Sequence, residues 1–425
     1  MILWGRGYHC LPLANDEWGV VMYYAKPIDG LKGSYEYHIS RCVEIYHQEV
    51  ERNSEAIKKI LVDVGYDQND FKLYSYLAVS LHDLGKLSEN FQNQMKNKVF
   101  KKRLRNIRFR HEVLSTLYMA LATQNYLRQN IKSFPFHYYA VLSHHKGLDI
   151  NFSSFSHERN INEDWFLLKQ NEYEYGINLS KELAKVETEF VMDISKYKIN
   201  IESIFKLLES YVLESYLIKS SLSKSNIRML YSLYKGLLQY CDWIASSDKK
   251  PMQQILSQSE LKDRIKQKVE SEGKVFVERQ FHKECAMAAN DVVAIAPTGS
   301  GKTEASLLWA LKWERSKVIF LMPTMVTSNS IFSRLAKYYF GEEYCGLSHS
   351  SSDVYFAIDS DFSEKERLEL LQYKVFIPPV MVSTIDQMLT SGFNTGHWCL
   401  KEYALVGSSI IIDEIQAYDT FTLAL

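Results

Sequence analysis

The stretch Ala296-Pro297-Thr298-Gly299-Ser300-Gly301-Lys302-Thr303 decides how the second half of this chain is read. Before it runs the short, apolar, β-branched segment Asp291-Val292-Val293-Ala294-Ile295, and after it comes helical composition from Glu304 to Lys312. Strand, glycine-rich turn and helix is the context in which such an octet cradles phosphate, so the pattern predicts a buried inner strand of a parallel sheet delivering the loop. Gly299 and Gly301 let backbone N–H groups approach phosphate oxygens. Lys302 neutralises the β/γ-phosphates, the Thr303 hydroxyl is placed to ligate Mg²⁺, and Thr298 and Ser300 complete the loop. Ala296 stands where the usual pattern has its first glycine. Further on, Ser409-Ile410-Ile411-Ile412-Asp413-Glu414-Ile415-Gln416 predicts a second buried strand that brings Asp413 to Mg²⁺ and Glu414 to the attacking water. Together the two motifs predict an ATPase.

Working outward, the 425 residues suffice for two or three domains, and a hydrophobic share of 46% with 24% charged residues is globular. A net charge of -1 neither advertises nucleic acid nor excludes a local basic patch. Cys10, Cys42, Cys241, Cys285, Cys345 and Cys399 are widely spaced and form no Cys-x-x-Cys pair, which fits thiols in a reducing cytosol. No apolar run approaches the roughly 18 residues that span a bilayer, so a cytoplasmic protein without membrane contact is expected.

Residues 1 to about 33 show no clear period. From Tyr35 the pattern turns helical, with helices expected near 35–51, 71–85, 111–126, 136–146, 179–220 and 226–246, so the first domain reads as all-α. It carries an unusual set of imidazoles. In Ser80-Leu81-His82-Asp83-Leu84-Gly85-Lys86 an apolar helix ends at a glycine just after a His-Asp pair, and such a carboxylate can bridge two metals while the imidazole serves one. By itself a His-Asp pair is usually a helix-end surface feature. His111 opens another helix, and His144-His145 closes a further one before Gly147. Adjacent residues on a regular helix point about 100° apart, so both can face one cluster only where the helix frays or kinks, which Gly147 supports. Asp242, inside the apolar run Tyr240-Cys241-Asp242-Trp243-Ile244-Ala245-Ser246, is a buried carboxylate that a metal would make favourable. Between Asn90 and Arg110 the eight basic residues, Arg103 and Arg105 among them, are unopposed by any acidic one and can guide a nucleic-acid backbone, although such runs are most often solvated faces.

The order of His38, His82-Asp83, His111, His144-His145 and Asp242 resembles the HD superfamily of metal-dependent phosphohydrolases. The doubled histidine and the Asp-Trp-Ile-Ala-Ser run resemble the nuclease domain of the type I CRISPR-associated helicase-nucleases. The resemblance implies a two-metal site with Asp83 bridging, His38, His82 and Asp242 on one ion, and His111, His144 and His145 on the other. Nitrogen-rich ligation favours Fe, Mn, Co or Ni over Mg. Lys86 then contacts the scissile phosphate or, more plainly, meets a helix C-terminal dipole.

The second half resembles the first RecA-like lobe of superfamily-two helicases. That resemblance makes Gln280 the residue that reads the adenine edge, and gives Thr324 and Thr384 contacts to single-stranded DNA, with ordinary helix capping as the plain alternative. Gln416 departs from the His or Asp usual at the fourth place of the acidic motif. The expected organisation is an all-α HD domain at 1–250, a junction at 251–275, and an α/β RecA-like lobe with a parallel sheet at 276–425. No second RecA-like lobe falls in these residues, so another chain or a C-terminal part would have to complete the motor; alone, the chain should bind ATP yet hydrolyse it poorly. The family function implied is a metal-dependent nuclease on single-stranded DNA joined to a 3'-5' helicase, recruited by a CRISPR guide-RNA surveillance complex. A nucleotide phosphohydrolase with a regulatory ATP-binding lobe, and a fragment that mainly binds a partner, are the other readings.

Overall fold

The computed structural model describes residues 22–99, 110–130, 135–145, 167–184, 190–195, 222–247, 256–312, 317–352 and 371–424. Arg103 and Arg105 lie outside these residues, as does Gly147. The first helices are α1 (Tyr35–Arg52), α2 (Ser54–Val64), α3 (Gln68–Leu81), α4 (Glu89–Val99), α5 (His111–Asn130), α6 (Phe136–Ser143) and α7 (Gln170–Leu183). Residues 1–44 and 74–221 cluster as one compact unit, and 45–73 with 222–425 as another.

In the first unit most of the described residues are helical, and the packing explains why. The stretch of α3 that belongs here has almost no polar face: Tyr74, Tyr76, Leu77, Ala78, Val79 and Leu81 are all buried. The helix stops at Leu81, and a 3-10 turn over Leu84–Leu87 follows, so His82 and Asp83 sit at the corner between them. Gly85 makes that corner possible. A Cβ there would lie 2.2 Å from the His111 carbonyl oxygen and 2.8 Å from Leu114 Cβ, and its N–H donates to Ser115 Oγ at 2.8 Å. The glycine thus allows the Asp83 turn to lie against the first turn of α5. Gly85→Ala should cost about 1–3 kcal/mol, as overpacking does, and should weaken metal binding because His111 must move; thermal unfolding and a metal titration check both.

The second unit continues with α8 (Lys224–Ser246), α9 (Gln258–Ser271), α10 (Gln280–Met287), α11 (Lys302–Leu311), β1 (Val318–Met322), α12 (Met325–Leu335), β2 (Cys345–Ser348), β3 (Val380–Thr384), α13 (Ile385–Leu389), α14 (Trp398–Leu405) and β4 (Ser409–Ile412). The four strands form one parallel sheet in the order β2-β3-β1-β4. Central β1 is buried along its whole length, and its alternate residues face opposite layers. Val318, Phe320 and Met322 pack with Leu261 and Ile265 of α9, Leu307 and Leu311 of α11 and Phe332 of α12. Ile319 and Leu321 pack with Phe376, Met381 and Ala404. Apolar cover on both faces is what a parallel sheet requires, and it accounts for the unbroken Val-Ile-Phe-Leu-Met run.

Several sequence expectations give way here. Asp291–Ile295 is not in the sheet; Val293 is 87% and Ile295 95% exposed. Its β-branched composition favours a strand only where an edge pairs with it, because β propensity is largely a measure of context. The second acidic strand, β4, lies on the outside of the sheet, with Ile410 36% and Ile412 44% exposed, not buried as expected. Of the helix expected over 179–220, the first residues belong to α7, which starts earlier and ends at Leu183, residues 190–195 are not helical, and 185–189 and 196–220 lie outside the described residues. Helices α2 and α4 were not expected from the sequence pattern. In α4 the apolar Phe91, Met95 and Val99 are outnumbered by amides and lysines, which hides the period.

Candidate metal centre and nucleotide site

The first unit gathers six of the seven residues singled out as metal ligands around one carboxylate, Asp83, which has no exposed surface. Its Oδ2 lies 3.2 Å from His38 Nε2, 3.4 Å from His82 Nε2 and 2.6 Å from Lys86 Nζ. Its Oδ1 lies 3.2 Å from His111 Nε2 and 4.0 Å from His144 Nε2. His145 joins the second set, its Nε2 being 3.1 Å from His111 Nε2. Each oxygen of one carboxylate therefore faces its own group of imidazoles. His144 and His145 share a direction because α6 ends at Ser143 and both follow the last helical turn.

Two of the tautomers follow from the hydrogen bonds. His82 Nδ1 lies 2.8 Å from the Val79 carbonyl and His144 Nδ1 lies 2.6 Å from the Val141 carbonyl. A carbonyl only accepts, so each Nδ1 carries the proton and each Nε2 turns a lone pair toward Asp83. Lone pairs of nitrogen facing carboxylate oxygens at these distances repel unless a cation lies between them, so the donor set fits divalent metals. Burial pushes the Asp83 carboxyl up, but His82, Lys86, His111 and His38 together hold it well below the usual range. Burial, with His145 and His82 adding to it, holds His144 well below the usual imidazole value, so it is neutral, the form a metal requires.

Asp242 belongs to the second unit, on α8. It is 7% exposed and accepts from Ser246 Oγ at 3.3 Å. His137 is a core histidine: it stacks on Tyr74 with ring centroids 4.6 Å apart, and burial lowers its pKa to about 3.

The second unit holds a cavity of about 680 Å³ between the Thr298–Thr303 loop and the end of β4, with Arg334, Asp413 and Glu414 on its wall. Gly299 and Gly301 have φ of 78° and 88°, as a phosphate-cradling turn needs. A Cβ on Gly301 would lie 2.5 Å from His282 Nε2. His282 Nε2 is 3.3 Å from the Ser300 carbonyl, and Arg279 Nη1 donates to the Gly299 carbonyl at 3.3 Å. Arg279 and His282, which also line the cavity, thus engage two carbonyls of the loop. Lys302 Nζ lies 3.3 Å from the Ala296 carbonyl and 3.9 Å from Glu414 Oε1.

At the end of β4 the Asp413 N–H donates to the Leu321 carbonyl at 3.0 Å, and the Glu414 N–H donates to Asp413 Oδ1 at 2.9 Å. Glu414 has φ 52°, a left-handed conformation unusual outside glycine, and Gln416 donates to its carboxylate. Gln280 opens α10, donates to Glu284 Oε1 at 3.0 Å and is not among the residues lining the cavity. Thr324 caps α12 through the Thr327 N–H at 3.2 Å, and Thr384 precedes α13 without a side-chain cap.

Residues 40–250 match the family described as Cas3, HD domain, and residues 279–422 match the family described as DEAD/DEAH box helicase. A CRISPR-associated nuclease/helicase Cas3 of Methanocaldococcus jannaschii is 30% identical over 379 residues, covering 81% of this chain and 50% of that protein. The chain belongs to the Cas3 family. The Cas3 of Escherichia coli strain K12, a CRISPR-associated endonuclease/helicase, is 33% identical over 147 residues, or 30% of this chain and 17% of that protein. Among solved structures, T. fusca Cas3 superimposes with a TM-score of 0.50 at 17% identity, covering 96% of this chain and 47% of the other. T. fusca Cas3 with ADP gives 0.51 at 15% identity, with 96% and 48% covered. At such identities the structures establish the fold: a helical HD domain followed by an α/β lobe with a parallel sheet. The chain spans about half the length of the Methanocaldococcus jannaschii relative. Among the described residues no helix is long and apolar enough to cross a membrane.

Sequence reading missed several residues of this Cas3 chain that the structure brings to its sites. Glu304, in the first turn of α11, accepts from Arg334 of α12 and from Tyr339 Oη at 2.5 Å, with Lys268 Nζ 3.3 Å away. Arg334 Nη1 also reaches Thr303 Oγ1 at 3.5 Å. No local pattern announces such a network, because its members lie on separate elements. Cys42 was likewise read only as a thiol in a reducing compartment.

Proposed function

We propose that this chain is the nuclease half and first motor lobe of a cytoplasmic CRISPR-associated enzyme that degrades single-stranded DNA. The observation carrying this reading is the shared carboxylate, Asp83, whose two oxygens face separate groups of imidazoles. In this reading His38, His82 and Asp242 hold one divalent transition-metal ion, His111, His144 and His145 hold the other, and Asp83 serves both. Asp242 is assigned by its place in the sequence order. Such a pair, of Fe, Mn, Co or Ni, supplies an activated water and stabilises the leaving oxygen of a phosphodiester. The chain's own groups do the rest. The buried imidazoles keep their Nε2 atoms fixed through the carbonyls of Val79 and Val141, and Lys86, 11% exposed beside Asp83, presents a cation at the mouth of the site to a scissile phosphate.

In the lobe, Thr298 to Thr303 hold the phosphates of ATP, with Gln280 at the adenine. Asp413 and Thr303 hold Mg²⁺, and Glu414 orients the attacking water. Thr324, Thr384, Arg103 and Arg105 contact the DNA backbone, and translocation runs 3'-5'. The motif division at 1–250, 251–275 and 276–425 is a functional one. A second RecA-like lobe, in another chain or a C-terminal part, completes the motor, and a guide-RNA surveillance complex delivers the DNA.

The test is to incubate the chain with circular single-stranded DNA and, separately, with nucleoside monophosphates, in Mn²⁺ or Co²⁺ and without ATP. Nicking of the circle is expected. Phosphate release from the monophosphates with the circle left intact would make the protein a nucleotide phosphohydrolase instead, and silence on both with metal bound would make it a partner-binding module.

A further inference from the structure

We propose that Cys42 is a metal ligand, through its sulfur, at the position held by His38 and His82, so that the two halves of the centre differ in donor chemistry. The proposal rests on the metal-centre reading above and adds to it a donor that the sequence pattern did not include.

Cys42 follows His38 by one turn of α1, which puts both side chains on one face of the helix. It has no exposed surface and is not in a disulfide. Its Sγ lies 3.7 Å from His38 Nε2, and the ligand atoms of His38, Cys42 and His82 all lie within 4.8 Å of one another. A tetrahedral ion with sulfur at about 2.3 Å and nitrogen at about 2.0–2.1 Å separates those two donors by roughly 3.6 Å. The observed spacing, which in the absence of an ion is that of a thiol–imidazole hydrogen bond, suits two ligands on one ion. His38 and His82 are also the two imidazoles on Asp83 Oδ2, at 3.2 and 3.4 Å.

A buried cysteine is most often a small apolar filler, and sequence alone reads this one so. Two features argue otherwise. Cys42 lies against two nitrogen donors, His38 and His82. The neighbouring carboxylate of Asp83, fully buried, turns both oxygens toward lone-pair-bearing nitrogens. The consequence is an asymmetric centre. The Asp83 Oδ1 side offers oxygen and imidazole from His111, His144 and His145, of which His145 is exposed. The His38 side adds sulfur to its carboxylate and imidazole donors, and His38, Cys42 and His82 are all buried. A thiolate selects softer ions and rejects Mg²⁺, and on binding the thiol proton leaves to solvent. The His38 side therefore binds Co²⁺ or Zn²⁺ ahead of Mn²⁺, while the other side accepts Mn²⁺.

The experiment is a Co²⁺ titration of the whole chain, followed by optical absorption. The wild type is expected to bind two equivalents and to develop the intense near-ultraviolet band of sulfur-to-cobalt charge transfer with the first. Cys42→Ser is expected to lose the band while still binding cobalt, with Co²⁺ affinity at that position down about tenfold or more. Two equivalents bound without the band, or a band that survives in Cys42→Ser, overturns the proposal and leaves the metal centre standing. Failure to bind cobalt at all overturns both. Should the variant fold poorly by circular dichroism, X-ray absorption of the one-equivalent zinc form of the wild type decides. A sulfur shell near 2.3 Å is expected, and a shell of nitrogen and oxygen only refutes it.

Discussion

Asp83→Ala should abolish nicking of circular single-stranded DNA, by at least about a thousandfold, and should lower the bound metal from two ions to one or none. Loss of a residue that only supports a metal ligand typically costs about 10- to 100-fold in affinity or activity, and a carboxylate serving two ions must exceed that. Removing the Asp83 carboxylate also takes away the negative charge that faces His38, His82 and His111 and favours a cation between them. Asp83→Asn separates charge from shape: an amide keeps the volume but offers one weak oxygen, so activity should still fall while the fold is retained. ATP binding at the Thr298–Thr303 loop should be unchanged in both variants. Metal content by elemental analysis, circle nicking and nucleotide binding on the same preparations check all of this. Full activity in Asp83→Ala would mean that hydrolysis occurs elsewhere.

Glu304→Gln should produce the largest loss of stability. Burial pushes the Glu304 carboxyl up, but the Arg334 guanidinium and the Tyr339 hydroxyl outweigh it and lower its pKa from 4.5 to about 2. Through linkage that shift corresponds to roughly 3 kcal/mol of stability, comparable with the roughly 3–5 kcal/mol that breaking a buried pair costs. The sign is that of a carboxylate depressed on folding: the contribution is complete above the unfolded value of 4.5 and is lost as pH falls toward about 2. The gap between wild type and Glu304→Gln should therefore be constant from about pH 7 to pH 5 and should narrow by about pH 3. Urea titrations at those pH values measure it. A gap independent of pH would show that the loss comes from packing and not from the charge. Because Arg334 also reaches Thr303, the variant should bind Mg²⁺-ATP less tightly even where it is folded.

The residues gathered around Asp83 were legible in the sequence because most of them come as short local patterns, a His-Asp pair at a helix end and a doubled histidine before a glycine. Their partition over the two oxygens of Asp83 comes from the turn at Gly85, where the chain is bent by contact with α5. The phosphate loop was legible for the same reason, since its glycines and lysine are contiguous. What escaped is what depends on neighbours distant in sequence. Asp291–Ile295 has strand composition but no strand pairing, and β4 has an exposed edge that its isoleucines do not betray. Glu304 looks like any acidic residue in a first helical turn, and its meaning appears only with Arg334 and Tyr339 beside it. Cys42 looks like a core cysteine until His82 is brought to it.

The most direct measurement is anomalous diffraction from crystals of the chain grown with Mn²⁺ and Co²⁺. Two peaks about 4 Å apart are expected, one beside His38 and His82, the other beside His111, His144 and His145, with one oxygen of Asp83 on each. A single peak, or two peaks neither of which touches Asp83, would contradict the shared-carboxylate centre.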